Sequence, residues 1–383
     1  MKQPDAIVIG AGVVGSACAL GLAKAGLKVV VLDRGPVSGG TTGAGEGNIL
    51  VSDKEPGPEL TLAIRSRNAW FEIADEIGAG FELEAKGGIV VARTQVGATA
   101  LSHLAKRQQR AGVQAHELDR SALHQLEPYL DPSIDFGFHY PADAQCQPML
   151  SAAQMLKALR SMGGEVITGA AVRAIHTKDS AISQVVTEKE KYSTEIVINA
   201  TGTWAGEIAQ MAGSYLPIAP RRGFILVSAP APNLIRHKVY DADYVANVAS
   251  DSTDLQSSAV VEGTKSGTIL IGASRERVGF KSDFDVSILR ILARQAISLF
   301  PILASVQLMR AYRGFRPFAP DHLPVIGEDG KIKGLWHAAG HEGAGIGLAP
   351  ATAEIIVGQV LAREVFMDAS PFSPRRFIQE SAP

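Results

Sequence analysis

The sequence predicts an α/β protein whose parallel sheet is assembled from separate segments, with an antiparallel, β-rich domain inserted between them. Three observations carry this reading. A β-branched run at 6–9 closes on Gly10, a helix-like stretch follows, and a second β-branched run occupies 28–33, the strand–helix–strand order of a parallel unit. Between 222 and 270 the runs lengthen and alternate apolar with polar residues, as antiparallel strands with one wet face do. The tail then returns to a strand over 335–338 and a helix over 345–362.

Each element has a local reason. Ala6-Ile7-Val8-Ile9 is short, β-branched and ended by glycine, as in a strand buried on both faces. Residues 13–25 mix small and apolar side chains like a packed helix, and Gly26 ends it. Over 58–77 the apolar residues Leu60, Ile64, Phe71, Ala74 and Ile77 fall at helical spacing, with Pro58 near the start. Segments 87–92 and 135–140 are strand-like but stand outside any strand–helix rhythm. A helix over 149–161 leads to strands at 165–168 and 195–200, and an amphipathic helix is expected over 285–299. The expected division is 1–85, 141–215 and 313–383 for the sheet-and-helix domain, with 86–140 and 216–312 forming the β-rich one.

Composition narrows the function. Of 383 residues, 46% are hydrophobic and 20% charged, and 37 Lys+Arg against 39 Asp+Glu leave a net charge of −2. No basic field invites nucleic acid. Two cysteines, Cys18 and Cys146, exclude a disulfide framework and a Cys-rich metal site, which suits a reducing cytosol. The apolar stretch 6–32 is broken by five glycines, Lys24 and Lys28, so no transmembrane segment is expected. A cytoplasmic protein is the expectation. Nothing has metal-ligand spacing, and no Gly-x-Ser-x-Gly elbow is present.

Gly10-Ala11-Gly12-Val13-Val14-Gly15 is a G-x-G-x-x-G between a strand and a helix. The first glycine permits a tight turn, the second lets main chain approach a pyrophosphate, and the third lets the helix pack on the strand. Asp33, followed by Arg34, ends the second strand, close to the separation expected of a ribose-binding carboxylate. The fingerprint serves NAD as well as FAD. Three further glycine-lined stretches bear on the choice: Thr41-Thr42-Gly43-Ala44-Gly45-Glu46-Gly47-Asn48, Asn199-Ala200-Thr201-Gly202-Thr203-Trp204, and Gly340-His341-Glu342-Gly343-Ala344-Gly345-Ile346-Gly347. Such approaches to one sheet suit a long, two-ended cofactor. The last opens a helix, whose N-terminus beside a flavin ring would stabilise charge on the reduced ring.

On Gly314-Phe315-Arg316-Pro317, followed by Asp321, Pro324 and Gly327, and on the 340–352 segment, the chain resembles the glycine/D-amino-acid oxidase group of FAD enzymes, the DAO family, over nearly its whole length. The resemblance implies a Rossmann-type FAD-binding domain with an inserted substrate domain. It implies that Arg316 binds a substrate carboxylate, that Gly343, Ala344 and Gly345 touch the flavin ring, and that Val172 contacts the adenine side. Tyr240 and Tyr244 lie where relatives place a substrate-facing tyrosine, although ordinary packing is the favoured reading for each singly. His341 lies in the flavin loop and His337 ahead of it reads as core. No cysteine occurs over 311–321, where some members attach flavin, so non-covalent FAD is expected.

Arg316 also has physical merit of its own, because a guanidinium holds a carboxylate by two parallel hydrogen bonds. Its bland alternatives are a surface ion pair with Asp321 or a place beside the cofactor phosphates, and Arg310 and Arg313 lie near enough to be confused with it. The implied reaction oxidises an amino acid at the C–N bond by hydride transfer to flavin N5, without an obligatory general base. Within the family, the 43–51 loop looks most like catalytic β subunits of heteromeric dehydrogenases for D-hydroxyproline and for opines such as octopine and nopaline. That implies an α subunit with its own nucleotide-binding domain, a small iron–sulphur component, FMN at a subunit interface and peripheral association with a membrane electron-transfer chain. The absence of a lysine near Leu270, where sarcosine oxidases use one for oxygen, leans the same way. The alternatives are a stand-alone oxidase of glycine, sarcosine or a D-amino acid, an NAD(P) dehydrogenase, and a subunit that binds FAD without catalysis.

Overall fold

The structure, a computed structural model, describes residues 2–242 and 254–378. Its central sheet has six strands in the order Val325–Glu328, Leu335–Ala339, Ile196–Asn199, Ala6–Ile9, Val29–Leu32, Glu165–Ile167. All neighbours are parallel except the edge strand Val325–Glu328. The short β-branched runs therefore sit as the sequence indicates, buried on both faces. The period of two decides what each face meets. Ala6 and Val8 pack with the helices, whereas Ile7 and Ile9 pack with Val172, Ile175, Ile182 and Val185 on the other side. On the first face lie the helices Val13–Lys24, Pro58–Ile77, Pro148–Ser161 and Gly345–Val360.

The other face is covered by a small antiparallel sheet, Val172–Lys178, Ala181–Thr187 and Lys191–Ser193, which the sequence reading left out. Its signal was present: two runs that mix β-branched and polar residues flank Asp179 and Ser180, both at positive φ, as a two-residue hairpin turn demands. Also unforeseen are the helices Gln95–Arg110 and Arg120–Leu126, capped by Thr94 and Asp119, which accept from the amides of Gly97 and Ala122.

The inserted region forms an eight-stranded sheet, in the order Leu308–Phe318, Ala219–Ser228, Ile269–Arg275, Gln256–Gly263, Lys238–Asp241, Gly88–Ala92, Phe136–Tyr140, His116–Asp119. It is antiparallel apart from one junction, where Lys238–Asp241 runs parallel to Gly88–Ala92. That departure from a wholly antiparallel insertion has a topological reason. The two strands come from different insertions, and the long connection between them permits a parallel pairing that a hairpin cannot make. Helix Val286–Leu299 packs its apolar stripe on this sheet. Strand Leu308–Phe318 pairs with Ala219–Ser228 from end to end, carrying this sheet on to residue 318.

The segment between the two sheets is pinned by a buried carboxylate. Asp143 accepts from the amides of Val51 (2.8 Å) and Ser52 (3.2 Å) and from the Ser52 hydroxyl, which in turn receives the Tyr240 hydroxyl at 2.6 Å. Burial nevertheless pushes the Asp143 carboxyl from 3.8 up to about 7, against the pull of those donors. Between those two values the native state holds a proton that the unfolded chain releases, so this group makes the protein less stable as pH rises from 3.8 to 7. We expect the urea midpoint to fall between pH 5 and pH 8 and the Asp143→Asn variant to lose that part of the fall; an unaltered pH dependence in the variant would refute the assignment.

Candidate active site

The C-terminal ends of the five parallel strands open on one cleft, the position where open α/β sheets bind ligands. It is lined in turn by Val172 beyond the strand Glu165–Ile167, by Asp33, by Gly10, by Ala200 and by Ala338 with His341. Five strands side by side span about 19 Å, and the cavity volume is about 350 Å3, a long slot rather than a round pocket.

The glycine loop is shaped as its spacing predicts. Gly10 has φ +111° and a Cβ there would stand 2.4 Å from the Ala200 carbonyl oxygen. A Cβ on Gly15 would stand 2.0 Å from the Gly10 carbonyl oxygen, so the first turn of the helix lies directly on the loop. The helix begins after Gly12, which has no side chain to cap it, and the amide of its first residue, Val13, donates instead to Thr42 Oγ1 at 3.1 Å. Asp33 receives the Ala11 amide at 2.7 Å and the Gly35 amide at 2.8 Å. It thus ties the loop to the second strand while facing the cleft.

The opposite end is built by Leu308–Phe318, Ala219–Ser228 and the loop before Gly345–Val360. Gly340, at φ +73°, turns the chain, and the last helix starts at Gly345 without a side-chain cap, presenting the positive end of its dipole to the slot. Arg316 lies over Gly223, where a Cβ would be 2.1 Å from Nη1, and Nη1 donates to the Ser274 carbonyl at 2.8 Å. The ion pair with Asp321 and the confusion with Arg310 or Arg313 do not hold. Asp321 is taken by Arg376, with Nε at 2.6 Å; Arg313 donates to the Ser282 carbonyl; and Arg316 alone of Arg310, Arg313 and Arg316 lines the cleft.

Most expected cofactor residues meet here: Gly10, Gly12, Val13, Val14, Asp33, Arg34, Thr41, Thr42, Gly45, Glu46, Asn48, Val172, Ala200, Thr201, Gly202, Trp204, Arg316, Gly343, Gly345 and Ile346. Others act from behind. Gly15 seats the helix, Gly340 makes the turn, and Gly47 abuts Cys146, whose carbonyl oxygen would be 1.7 Å from a Cβ. Ala344 faces a small side cavity with Lys54. His341 is buried in the slot with Nε2 3.0 Å from Thr352 Oγ1, and burial lowers its pKa from 6.5 to about 4, leaving a neutral ring at neutral pH. His337 is core, between Asn199 and Asp329.

Tyr240 requires a correction. It is fully buried, its hydroxyl is spent on Ser52, and it is not among the residues that line the cleft. The inward face of its strand points to the core behind the slot. Tyr244 lies outside the described residues. Sequence reasoning missed Gly223 and Ile225, which line the slot, and Lys238, buried against Glu46 and Glu262. The glycine in the middle of a strand was the available signal, since such a residue marks a close approach.

The residues fit a flavin dinucleotide: a glycine cradle at one end, main-chain amides at the other, and a slot across five strands between them. No group of three or more His, Cys, Asp or Glu able to hold a metal occurs among the described residues, and no helix among them is long and apolar enough to cross a membrane. Comparison with known proteins agrees with the geometry. Residues 5–359 match the family model DAO, FAD dependent oxidoreductase. Hydrogen cyanide synthase subunit HcnC of Pseudomonas aeruginosa is 26% identical, over 99% of this chain and 97% of its own. Glycine oxidase of Geobacillus kaustophilus is 27% identical over 98% of this chain and 97% of its own. The crystal structure of that oxidase superposes with a TM-score of 0.89, at 25% identity, covering 99% of this chain and all of the other. The fold and the FAD cofactor read from the sequence are thereby upheld, and the chain belongs to the DAO family of FAD-dependent oxidoreductases.

Proposed function

We propose that this chain oxidises an α-amino acid, with a primary or N-substituted amine, at the carbon that bears nitrogen. The observation that carries the reading is Arg316, a guanidinium set over Gly223 and beside Gly343 at the end of the slot where the helix Gly345–Val360 begins. Bound FAD supplies the acceptor for a hydride. The chain's own part is to seat the carboxylate on Arg316, fix the carbon beside it, and keep water from the reacting face. His341, neutral and bonded to Thr352, shapes the wall without carrying charge. The similarity to glycine oxidase supports an amino-acid substrate, and the absence of cysteine over 311–321 supports non-covalent FAD.

A second reading concerns the electron acceptor. One relative is by its name a subunit, which supports a complex in which a partner protein, carrying its own flavin or iron–sulphur group, reoxidises this chain. A lysine is absent from 268–272, which supports the same reading; the stand-alone oxidase stands beside it on the similarity to glycine oxidase. One set of measurements tests both. Acid precipitation should release all the yellow colour; glycine, N-methylglycine, proline derivatives or opines should bleach the flavin anaerobically. Failure of every amino acid to bleach it would sink the oxidation reading. Dye reduction much faster than peroxide formation, with a rise on co-expression with neighbouring genes, is expected of a complex; rapid peroxide formation by the lone chain refutes the complex alone.

A further inference from the structure

Glu46 lines the slot although it is only 8% exposed. Its Oε2 receives Asn48 Nδ2 at 2.8 Å and lies 3.4 Å from Lys238 Nζ, whereas its Oε1 is buried without a hydrogen-bond partner among the described residues. A buried carboxylate oxygen left unpaired is costly and calls for an explanation. The cations around it are engaged elsewhere or on its other oxygen. Among the described residues Lys238 faces two carboxylates, Glu46 and, at 3.2 Å, Glu262. The neighbouring Lys86 is turned to the Gly263 carbonyl.

The position of that oxygen relative to Arg316 gives it a use. Gly223 and Ile225 are alternate residues of one strand and both line the slot, so they stand about 6.5 Å apart on one face. The guanidinium of Arg316 lies over Gly223. Glu46 Oε1 lies at the other step: the Cβ position of Gly272 is 2.4 Å from Glu46 Oε1 and 3.0 Å from Ile225 Cδ1. The absence of a side chain at Gly272 leaves the oxygen its space. A cation and an anion separated by about one pleat repeat match a molecule that carries a carboxylate and an ammonium on adjoining atoms, each reached by one hydrogen bond.

We infer that Glu46 is the amine-binding residue of this site and that it selects α-amino acids over acids with no cationic nitrogen. The inference rests on the proposed amino-acid oxidation and adds the partner for the substrate's other end. It also moves Glu46 from the cofactor's neighbours to the substrate's.

The test uses the FAD-loaded protein and the amino acid that bleaches the wild type. Glu46→Gln should weaken its binding roughly 10- to 100-fold, the range of a hydrogen bond to a charged group, with FAD content unchanged. Acetate, which has the carboxylate but no amine, should bind the variant as well as or better than the wild type, and Glu46→Asp should recover part of the amino-acid affinity. Equal weakening of acetate and amino acid would mean that Glu46 only supports the loop, unchanged amino-acid affinity would place the amine elsewhere, and loss of FAD would return Glu46 to the cofactor; each overturns the inference. Should no amino acid bleach even the wild type, the oxidation reading fails first and this one with it.

Discussion

Replacing Arg316 by Ala or Lys is expected to abolish useful substrate binding while leaving FAD in place. The carboxylate would lose its guanidinium in a slot walled by Gly223, Ile225 and Gly343, and truncating one partner of a buried charge pair costs about 2–5 kcal/mol. That corresponds to roughly 30- to 5,000-fold in affinity. Lysine fares little better, since a single ammonium on a flexible stem cannot reproduce the planar fork. Titration of the flavin spectrum with substrate would give the affinity, and the ratio of flavin to protein absorbance would give the FAD content. Unchanged affinity would move the carboxylate site elsewhere. Arg222 is then a poor substitute, because it is held by Glu276 at 2.7 Å and by Asp283 at 3.1 Å.

The second large effect is on the cofactor itself. Gly15→Ala should yield a protein that purifies colourless or fails to fold. The new Cβ would stand 2.0 Å from the Gly10 carbonyl oxygen, and only backbone can move to relieve it. Gly10→Ala adds a positive φ to a 2.4 Å approach to Ala200. Overpacking and strained backbone each cost about 1–3 kcal/mol, so roughly 2–6 kcal/mol is expected for Gly10→Ala. Gly26→Ala is the control. Its φ is +94° but nothing lies within 4 Å of the added atom, so it should lose about 1–2 kcal/mol and keep its colour. Flavin content and melting temperature of the three variants decide the matter; a yellow, stable Gly15→Ala protein would show that the helix does not bear on the loop as described.

The parallel strands were legible because each is a short β-branched run that both faces bury, and the glycine loop because its spacing has a mechanical cause. The meander over 172–193 was missed because Val172 and Ile175, set among Arg173, His176 and Lys178, keep no period of two and look like surface loop until the hairpin at Asp179-Ser180 is recognised. Arg316 was found through its Gly-x-Arg-Pro context, which Arg313 does not share; the strand pairing with Ala219–Ser228 then turns one into the slot and the other towards Ser282. Tyr240 shows the reverse failure. An aromatic residue in the right segment had the wrong face of the strand, and period-two geometry sent its hydroxyl to Ser52. Lys238 and Glu262 could not have been paired by reading along the chain, since their partnership depends on which strands lie side by side.

The central sheet joins Ala6–Ile9 to Ile196–Asn199, and that strand to Leu335–Ala339, so its middle cannot close until nearly the whole chain exists. A growing polypeptide would hold the first strand, the glycine loop and the first helix without the neighbour they pack against for most of its synthesis. Loop closure over such separations is slow, and an unpaired, wholly apolar strand is a site for wrong association while it waits. The yield of soluble protein from a cell should therefore depend on how long nascent chains are sheltered, and shortening the chain before the final helix should leave no stable remnant able to hold the cofactor.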